Sequence, residues 1–163
     1  LTTIAYRAGV LAADTLHTWN GTRDLYEPKA WRVGDKLVAA SGSTSLIMRF
    51  REWVAAGMEG ESPMHGVEKG GNGLVVTADG VTCFDIHGSW PVREEHYALG
   101  SGSDIATGAM AMGATAEEAV RAAIRFDTGS GGEITVLRLA EITNAEDVLP
   151  RGAPAKLRAP ADA

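Results

Sequence analysis

Two short apolar runs on either side of a glycine-containing break open this chain, and they leave it little choice of first structure. Thr3-Ile4-Ala5-Tyr6 is followed by Arg7-Ala8-Gly9 and then by Val10-Leu11-Ala12-Ala13. Runs of that length around a tight turn predict a β-hairpin. Opening on a paired strand ties down a terminus that would otherwise fray. Thr2 and Thr3 are thereby set at the start of a buried strand, with Asp14 at the end of its partner.

The remaining segments read in order from their periodicity. Thr15 to Glu27 is polar and carries little periodic signal. Lys36-Leu37-Val38-Ala39-Ala40 predicts a buried strand that stops at Ser41-Gly42-Ser43. Thr44 to Met58 predicts a helix, with Leu46, Phe50, Trp53 and Val54 on one face and Arg49, Arg51 and Glu52 off it. Glycines and Pro63 break regular structure from Gly57 to Gly73. Gly73 to Val92 predicts strands joined by turns at Ala78-Asp79-Gly80 and His87-Gly88. Ser103 to Gly113 and Ala116 to Phe126 predict a helix pair, the second capped by Thr115 with Glu117 and Glu118 in its first turn. Ile134 to Leu139 closes the fold as a strand. Beyond Pro150 the chain is proline, alanine and charge, a mobile tail. The expected organisation is one domain over 1–149 and a flexible tail over 150–163. Strand-rich halves with helices grouped outside them predict an α+β fold, an α/β/β/α layered sandwich rather than a doubly wound sheet.

Composition narrows the function classes. A net charge of -6 argues against nucleic acid or an anionic membrane as partner, and no run reaches bilayer-spanning length. The one cysteine, Cys83, excludes an internal disulfide framework and fits a reducing, cytoplasmic setting; it lies in a strand-like run and reads as core. His17, His65, His87 and His96 show no ligand spacing, so neither a metal nor another cofactor is expected.

Four clusters carry chemistry. A threonine at a true N-terminus holds a hydroxyl nucleophile and an α-amine in one residue, and that amine, with a pKa of roughly 8 in model peptides, serves as general base near neutral pH; Thr2 is the candidate. Ala12-Ala13-Asp14 and Pro28-Lys29-Ala30-Trp31 supply a carboxylate and an ammonium, a pair that stabilises an alkoxide and keeps a nearby amine neutral. Taken singly, Asp14 reads as a turn residue and Lys29 as a solvated lysine. Gly100-Ser101-Gly102-Ser103 and Asp127-Thr128-Gly129-Ser130-Gly131-Gly132 place small hydroxyls among glycines, which lets the backbone approach a reacting centre. A phosphate cradle is the competing reading of Gly100 to Gly102, but the spacing fits neither G-x-G-x-x-G nor a lysine-terminated P-loop.

In combination these clusters resemble the proteasome β subunits and their bacterial HslV-type relatives, which are N-terminal nucleophile hydrolases. The pattern is Thr-Thr at the start, Ala-Ala-Asp after one hairpin, a lysine ahead of a strand, Gly-Ser-Gly before a helix pair, and Asp-x-x-Ser-Gly-Gly before the last strand. It runs from Thr2 to Leu139. The resemblance implies a four-layer α/β/β/α sandwich and a threonine-type endopeptidase. By it Thr2 is the nucleophile, Asp14 and Lys29 tune it, and the Gly42 N–H forms the oxyanion hole. Ser101, Asp127 and Ser130 support the α-amine, and Thr18, Ala40 and Thr44 line the substrate groove. It further implies a homo-oligomer of two stacked rings enclosing the sites, peptide or unfolded protein as substrate, and room for an ATPase unfoldase that no segment here identifies.

The chain departs from that pattern in places. Ser43 stands where the family has a second turn glycine, and the segment before Gly73 is too short for the family's second helix. Leu1 precedes Thr2 and converts its nitrogen into an amide with no basic lone pair. A non-standard start, the last residue of a propeptide, a deliberate block and a degenerate subunit all account for Leu1. Two other functions stay open: an amidohydrolase acting on small amides, and an inactive structural ring subunit.

Overall fold

The opening hairpin forms as its sequence dictates. Strand β1 (Thr3–Arg7) and strand β2 (Val10–Asp14) pair antiparallel, with Ile4 opposite Ala13 and Arg7 opposite Val10. The turn between them takes positive φ at Ala8 (50°) and Gly9 (77°), the twist a two-residue hairpin loop needs. The structure, a computed structural model, describes residues 1–20 and 22–141. The tail expected over 150–163, and the boundary before it, lie outside the described residues.

Beyond the hairpin come β3 (Leu16–Trp19), β4 (Thr22–Tyr26), β5 (Ala30–Val33), β6 (Lys36–Ser41) and helix α1 (Thr44–Ala55). Then follow β7 (Asn72–Thr77), β8 (Gly80–Asp85), β9 (Gly88–Val92), β10 (His96–Gly100), α2 (Ser103–Ala111), α3 (Ala116–Phe126) and β11 (Ile134–Arg138). The strands make two main antiparallel sheets, ordered β10-β1-β2-β11 and β5-β6-β7-β8-β9, with β3 and β4 as a separate ribbon. This is a mixed fold of sheets and helices. Thr3 lies opposite Gly100 and Asp14 opposite Ile134, so four chain segments meet at one end of the first sheet.

Strand alternation divides the apolar residues among three clusters. Ile4, Leu11 and Ala13 of the first sheet pack with Leu37, Ala39, Leu74, Val76 and Cys83 of the second. On the other face of β6, Val38 and Ala40 meet Leu46, Ile47, Phe50 and Val54 of α1. On the other face of the hairpin, Ala5 and Ala12 are small enough to receive Ala106, Met110, Ala119 and Val120 from α2 and α3.

Local signals explain the helix ends. Ser43 accepts from the Leu46 N–H at 3.3 Å and so N-caps α1, which gives the unexpected serine a structural task. Thr115 and Glu118 form a reciprocal capping box on α3. Helix α1 ends at Ala55, three residues short of the sequence expectation, because Gly57 and Met58 turn to positive φ (99° and 58°). The strands β3, β4 and β10 had no sequence expectation, and β5, the strand after Lys29, was expected from the resemblance alone. The segment before Gly73 forms no helix, but Met64 within it is fully buried and completes the core beneath α1.

Gly73 sets a sharp packing limit. A Cβ there would lie 2.2 Å from Cζ of Phe50, whose ring is held between Trp53 and Phe84 at centroid distances of 5.8 and 5.4 Å. Gly73→Ala is therefore expected to destabilise the protein by roughly 1–3 kcal/mol. A thermal melt checks this; an unchanged midpoint would show that α1 can shift away freely.

Candidate active site

Thr2 and Thr3 enter the first sheet between β2 and β10, and both are buried. A closed circuit of hydrogen bonds surrounds them. The Thr2 N–H donates to Ser101 Oγ at 3.2 Å, and Ser101 Oγ donates to Asp127 Oδ2 at 2.6 Å. Ser130 Oγ donates to the same oxygen at 2.6 Å and lies 2.6 Å from Thr3 Oγ1. The Thr3 N–H donates to Asp14 Oδ1 at 2.9 Å, and Lys29 Nζ donates to that oxygen at 2.9 Å. Lys29 Nζ also donates to the Leu1 carbonyl oxygen at 3.1 Å, which Thr2 Oγ1 reaches at 2.5 Å.

The groups are delivered by the ends of several elements. Asp14 ends β2, where Oδ2 also accepts from the N–H groups of Leu16 (3.3 Å) and Gly131 (3.1 Å). Lys29 stands just before β5 and is 1 % exposed, with Asp14 at 0 %. Burying an ion pair this fully is tolerated because the carboxylate is saturated with donors. Burial pushes the Lys29 ammonium below its usual pKa, and the Asp14 carboxylate pulls it back upward without cancelling the effect.

Ser101 follows β10, and Asp127 and Ser130 follow α3. Burial opposes ionisation of Asp127 and is the largest single influence on it. The hydroxyls of Ser101 and Ser130 and the Gly129 N–H together outweigh that influence and hold the carboxyl below its ordinary range. A carboxyl depressed on folding adds stability above its unfolded pKa and loses it as pH falls through the folded value. Below about pH 4 the melting temperature of the native protein should therefore fall more steeply than that of Asp127→Asn. Parallel curves would mean that Asp127 is not ionised in this network.

Glycines make the close approaches. A Cβ at Gly100 would lie 2.1 Å from the Thr2 carbonyl oxygen, and Gly100 also needs φ of 92°. A Cβ at Gly129 would lie 2.3 Å from Cβ of Leu1, so the side chain of Leu1 rests directly on that backbone. Gly42 takes φ of 131°, which only glycine adopts readily, at the exit of β6. It stands two residues beyond Ala40, whose N–H donates to the Lys29 carbonyl at 3.0 Å.

Thr2, Asp14, Lys29, Ser101, Asp127 and Ser130 thus fall within one hydrogen-bonded circuit, with Ala40 on the strand beside Lys29 and Gly42 just past that strand's end. Thr44 opens α1, where its hydroxyl lies 3.1 Å from His17 Nδ1. Thr18 is half-buried on β3, beyond a register irregularity between His17 and Thr18. Sequence reasoning singled out neither Thr3 nor His17. The hairpin register carried the signal for Thr3, since the residue opposite Ala13 is Ile4 and the next pair outward is Thr3 with Asp14. Burial and the Lys29 charge hold the His17 ring below its usual pKa, against an opposing pull from Asp14, which places the ring within the field of the same ion pair.

Solved structures of similar shape exist. The chain superposes on Thiobacillus denitrificans BPH with a TM-score of 0.65 at 24% identity, covering 86% of this chain and 98% of that one. The same protein in complex with epoxomicin gives 0.65 and 24%, covering 85% and 98%. HslV from Trypanosoma brucei gives 0.60 at 17% identity, covering 84% and 98%. The fold is that of the HslV and proteasome-type peptidases. No protein-family model and no curated protein matches the sequence. The likeness to HslV is therefore one of shape, and it spans nearly the whole of the solved chains.

Proposed function

We propose that this protein is a threonine-type endopeptidase whose nucleophile is Thr2 once Leu1 is gone. The observation that carries the reading is the circuit around Thr2, which puts an ion pair on the hydroxyl side and a hydroxyl–carboxylate network on the nitrogen side. Thr2 Oγ attacks a peptide carbonyl, and the freed α-amine takes the hydroxyl proton. Lys29, held by Asp14, stabilises the developing alkoxide, and the Gly42 N–H receives the oxyanion. The C–N bond breaks as the proton passes to the leaving amine, which leaves an acyl ester on Thr2. Water deprotonated by the same amine then releases the acid and restores the hydroxyl.

The three core clusters support the finer fold, a four-layer α/β/β/α sandwich of the N-terminal nucleophile hydrolase type. The complex of one structural neighbour with epoxomicin supports a peptidase and supplies a probe. A nucleophile of this kind is a hazard unless enclosed, so the proposal includes a cytoplasmic homo-oligomer of two stacked rings acting on peptides or unfolded protein, with an ATPase unfoldase as a candidate partner. Leu1 on Thr2 favours one second reading, an inactive ring subunit.

The deciding experiment pairs the intact mass of the N-terminal peptide with a fluorogenic peptide assay, with and without epoxomicin. A chain beginning at Thr2 that cleaves peptide and is blocked by epoxomicin supports the endopeptidase. A chain released to begin at Thr2 that cleaves nothing leaves the structural subunit standing. Light scattering that finds a monomer overturns the ring.

A further inference from the structure

Thr3 sits where two halves of the site join, and none of the roles given above uses it. It is fully buried at the entry to β1. Its N–H is bound to Asp14 Oδ1, the oxygen that also holds Lys29. Its hydroxyl lies against Ser130, which with Ser101 is bound to Asp127 Oδ2. The start of α2 is shaped around that hydroxyl: a Cβ at Gly102 would lie 2.0 Å from Thr3 Oγ1. The same Cβ would lie 2.9 Å from Cβ of Ala123, so glycine here makes room for the hydroxyl and for α3 together.

The direction of every proton in this chain can be assigned. An ionised carboxylate only accepts, so Ser130 spends its single hydroxyl proton on Asp127. Ser101 also lies 3.4 Å from the Thr2 carbonyl oxygen but gives its proton to the much shorter contact of 2.6 Å with Asp127. The Ser130 oxygen is then an acceptor, and the Thr3 hydroxyl must donate to it across 2.6 Å. The Ser101 oxygen is likewise an acceptor, and it receives the Thr2 N–H. The order runs from the Thr3 hydroxyl through Ser130 to Asp127, and from the Thr2 nitrogen through Ser101 to the same carboxylate. Hydrogen bonds in such chains polarise one another, so the Thr3 donor strengthens the grip of Ser130 on Asp127 and moderates the demand of Asp127 on Ser101.

We propose that Thr3 is a positioning residue for this site, clamping Thr2 between the Lys29–Asp14 pair through its N–H and the Ser130–Asp127–Ser101 network through its hydroxyl. The inference rests on the reading of Thr2 as nucleophile and base. It assigns the hydroxyl a task that the methyl group of the same residue cannot perform. Removing the hydroxyl leaves Asp127 drawing harder on Ser101, whose oxygen becomes a better acceptor and favours the protonated Thr2 amine.

Thr3→Val keeps the shape of the side chain and removes the hydroxyl, whereas Thr3→Ser keeps the hydroxyl and removes the methyl. Both are compared with the native full chain released to begin at Thr2. In Thr3→Val, kcat on a fluorogenic peptide is expected to fall about 10- to 100-fold with little change in KM. The acid limb of its pH–rate profile should move to higher pH, while Thr3→Ser restores both. The pKa of the Thr2 amine, read by NMR on ¹⁵N-labelled protein, needs no turnover and should rise in Thr3→Val alone. Equal loss in both variants, or an amine pKa unmoved in Thr3→Val, overturns the positioning role. A native chain without turnover in which the amine shift still appears overturns the endopeptidase reading and leaves the clamp intact.

Discussion

Thr2→Ala, in a chain released to begin at residue 2, should lose peptide hydrolysis by at least about 1,000-fold while melting close to the native protein. The chemistry asks the side chain for one atom, the oxygen, and alanine lacks it. The fold asks for little at this position. Thr2 is buried, but its hydroxyl accepts no bond from the surrounding strands and instead reaches the Leu1 carbonyl. Its nitrogen keeps Ser101 as partner in the variant, because that bond is made by the backbone. Thr2→Ser restores the oxygen and should recover much of the lost rate. Residual cleavage in Thr2→Ala equal to the native rate would mean either a contaminating protease or a nucleophile elsewhere, and epoxomicin sensitivity separates the two. The same substitution in the chain that retains Leu1 should change nothing in activity if that chain is already silent, since its Thr2 nitrogen is an amide.

Much of the arrangement was legible before any coordinates, and the illegible parts have physical causes. Helix α1 and the helix pair showed because each buries one face and leaves another to water, which imprints a period on the sequence, whereas the hairpin and β11 are packed on both faces and showed as short apolar runs. The ribbon β3–β4 did not show, because its ends are exposed, with Trp19 and Tyr26 turned to solvent at 70% and 54%. Strand β5 hid for the opposite reason: Ala30, Trp31, Arg32 and Val33 are all buried, so no alternation exists to be read. At the site, Asp14 and Lys29 read singly as a turn residue and a solvated lysine, and only the combined pattern and the resemblance it carries made Thr2, Asp14, Lys29 and the Gly-Ser pairs candidates. The link between them did not appear in the residue types, because Thr3 is one of many threonines until the register sets it opposite Asp14. Only the folded hairpin shows that Thr2 and Thr3 face different partners through one shared strand end.

Lys29→Met should cost both stability and rate, and the two losses should part company in a double variant. Methionine keeps the length of the side chain and deletes the charge. Asp14 then remains fully buried with the N–H groups of Thr3, Leu16 and Gly131 but with no cation. Breaking a buried pair on one side is expected to destabilise by roughly 3–5 kcal/mol, or on the order of 10 °C in melting temperature for a chain of this size. Peptide hydrolysis should fall roughly 100-fold or more, because the alkoxide of Thr2 loses the positive charge beside it. Asp14→Asn added to Lys29→Met removes the stranded charge and should recover part of the stability loss, the remainder persisting because the amide Nδ2 must face a backbone N–H that a carboxylate oxygen had accepted. Activity should not return in the double variant, because no neutral pair can stabilise an alkoxide. Melting temperature and kcat measured across the three proteins therefore test two claims at once. Recovery of both would assign the pair to architecture alone; recovery of stability without rate would leave Lys29 as the electrostatic partner of Thr2.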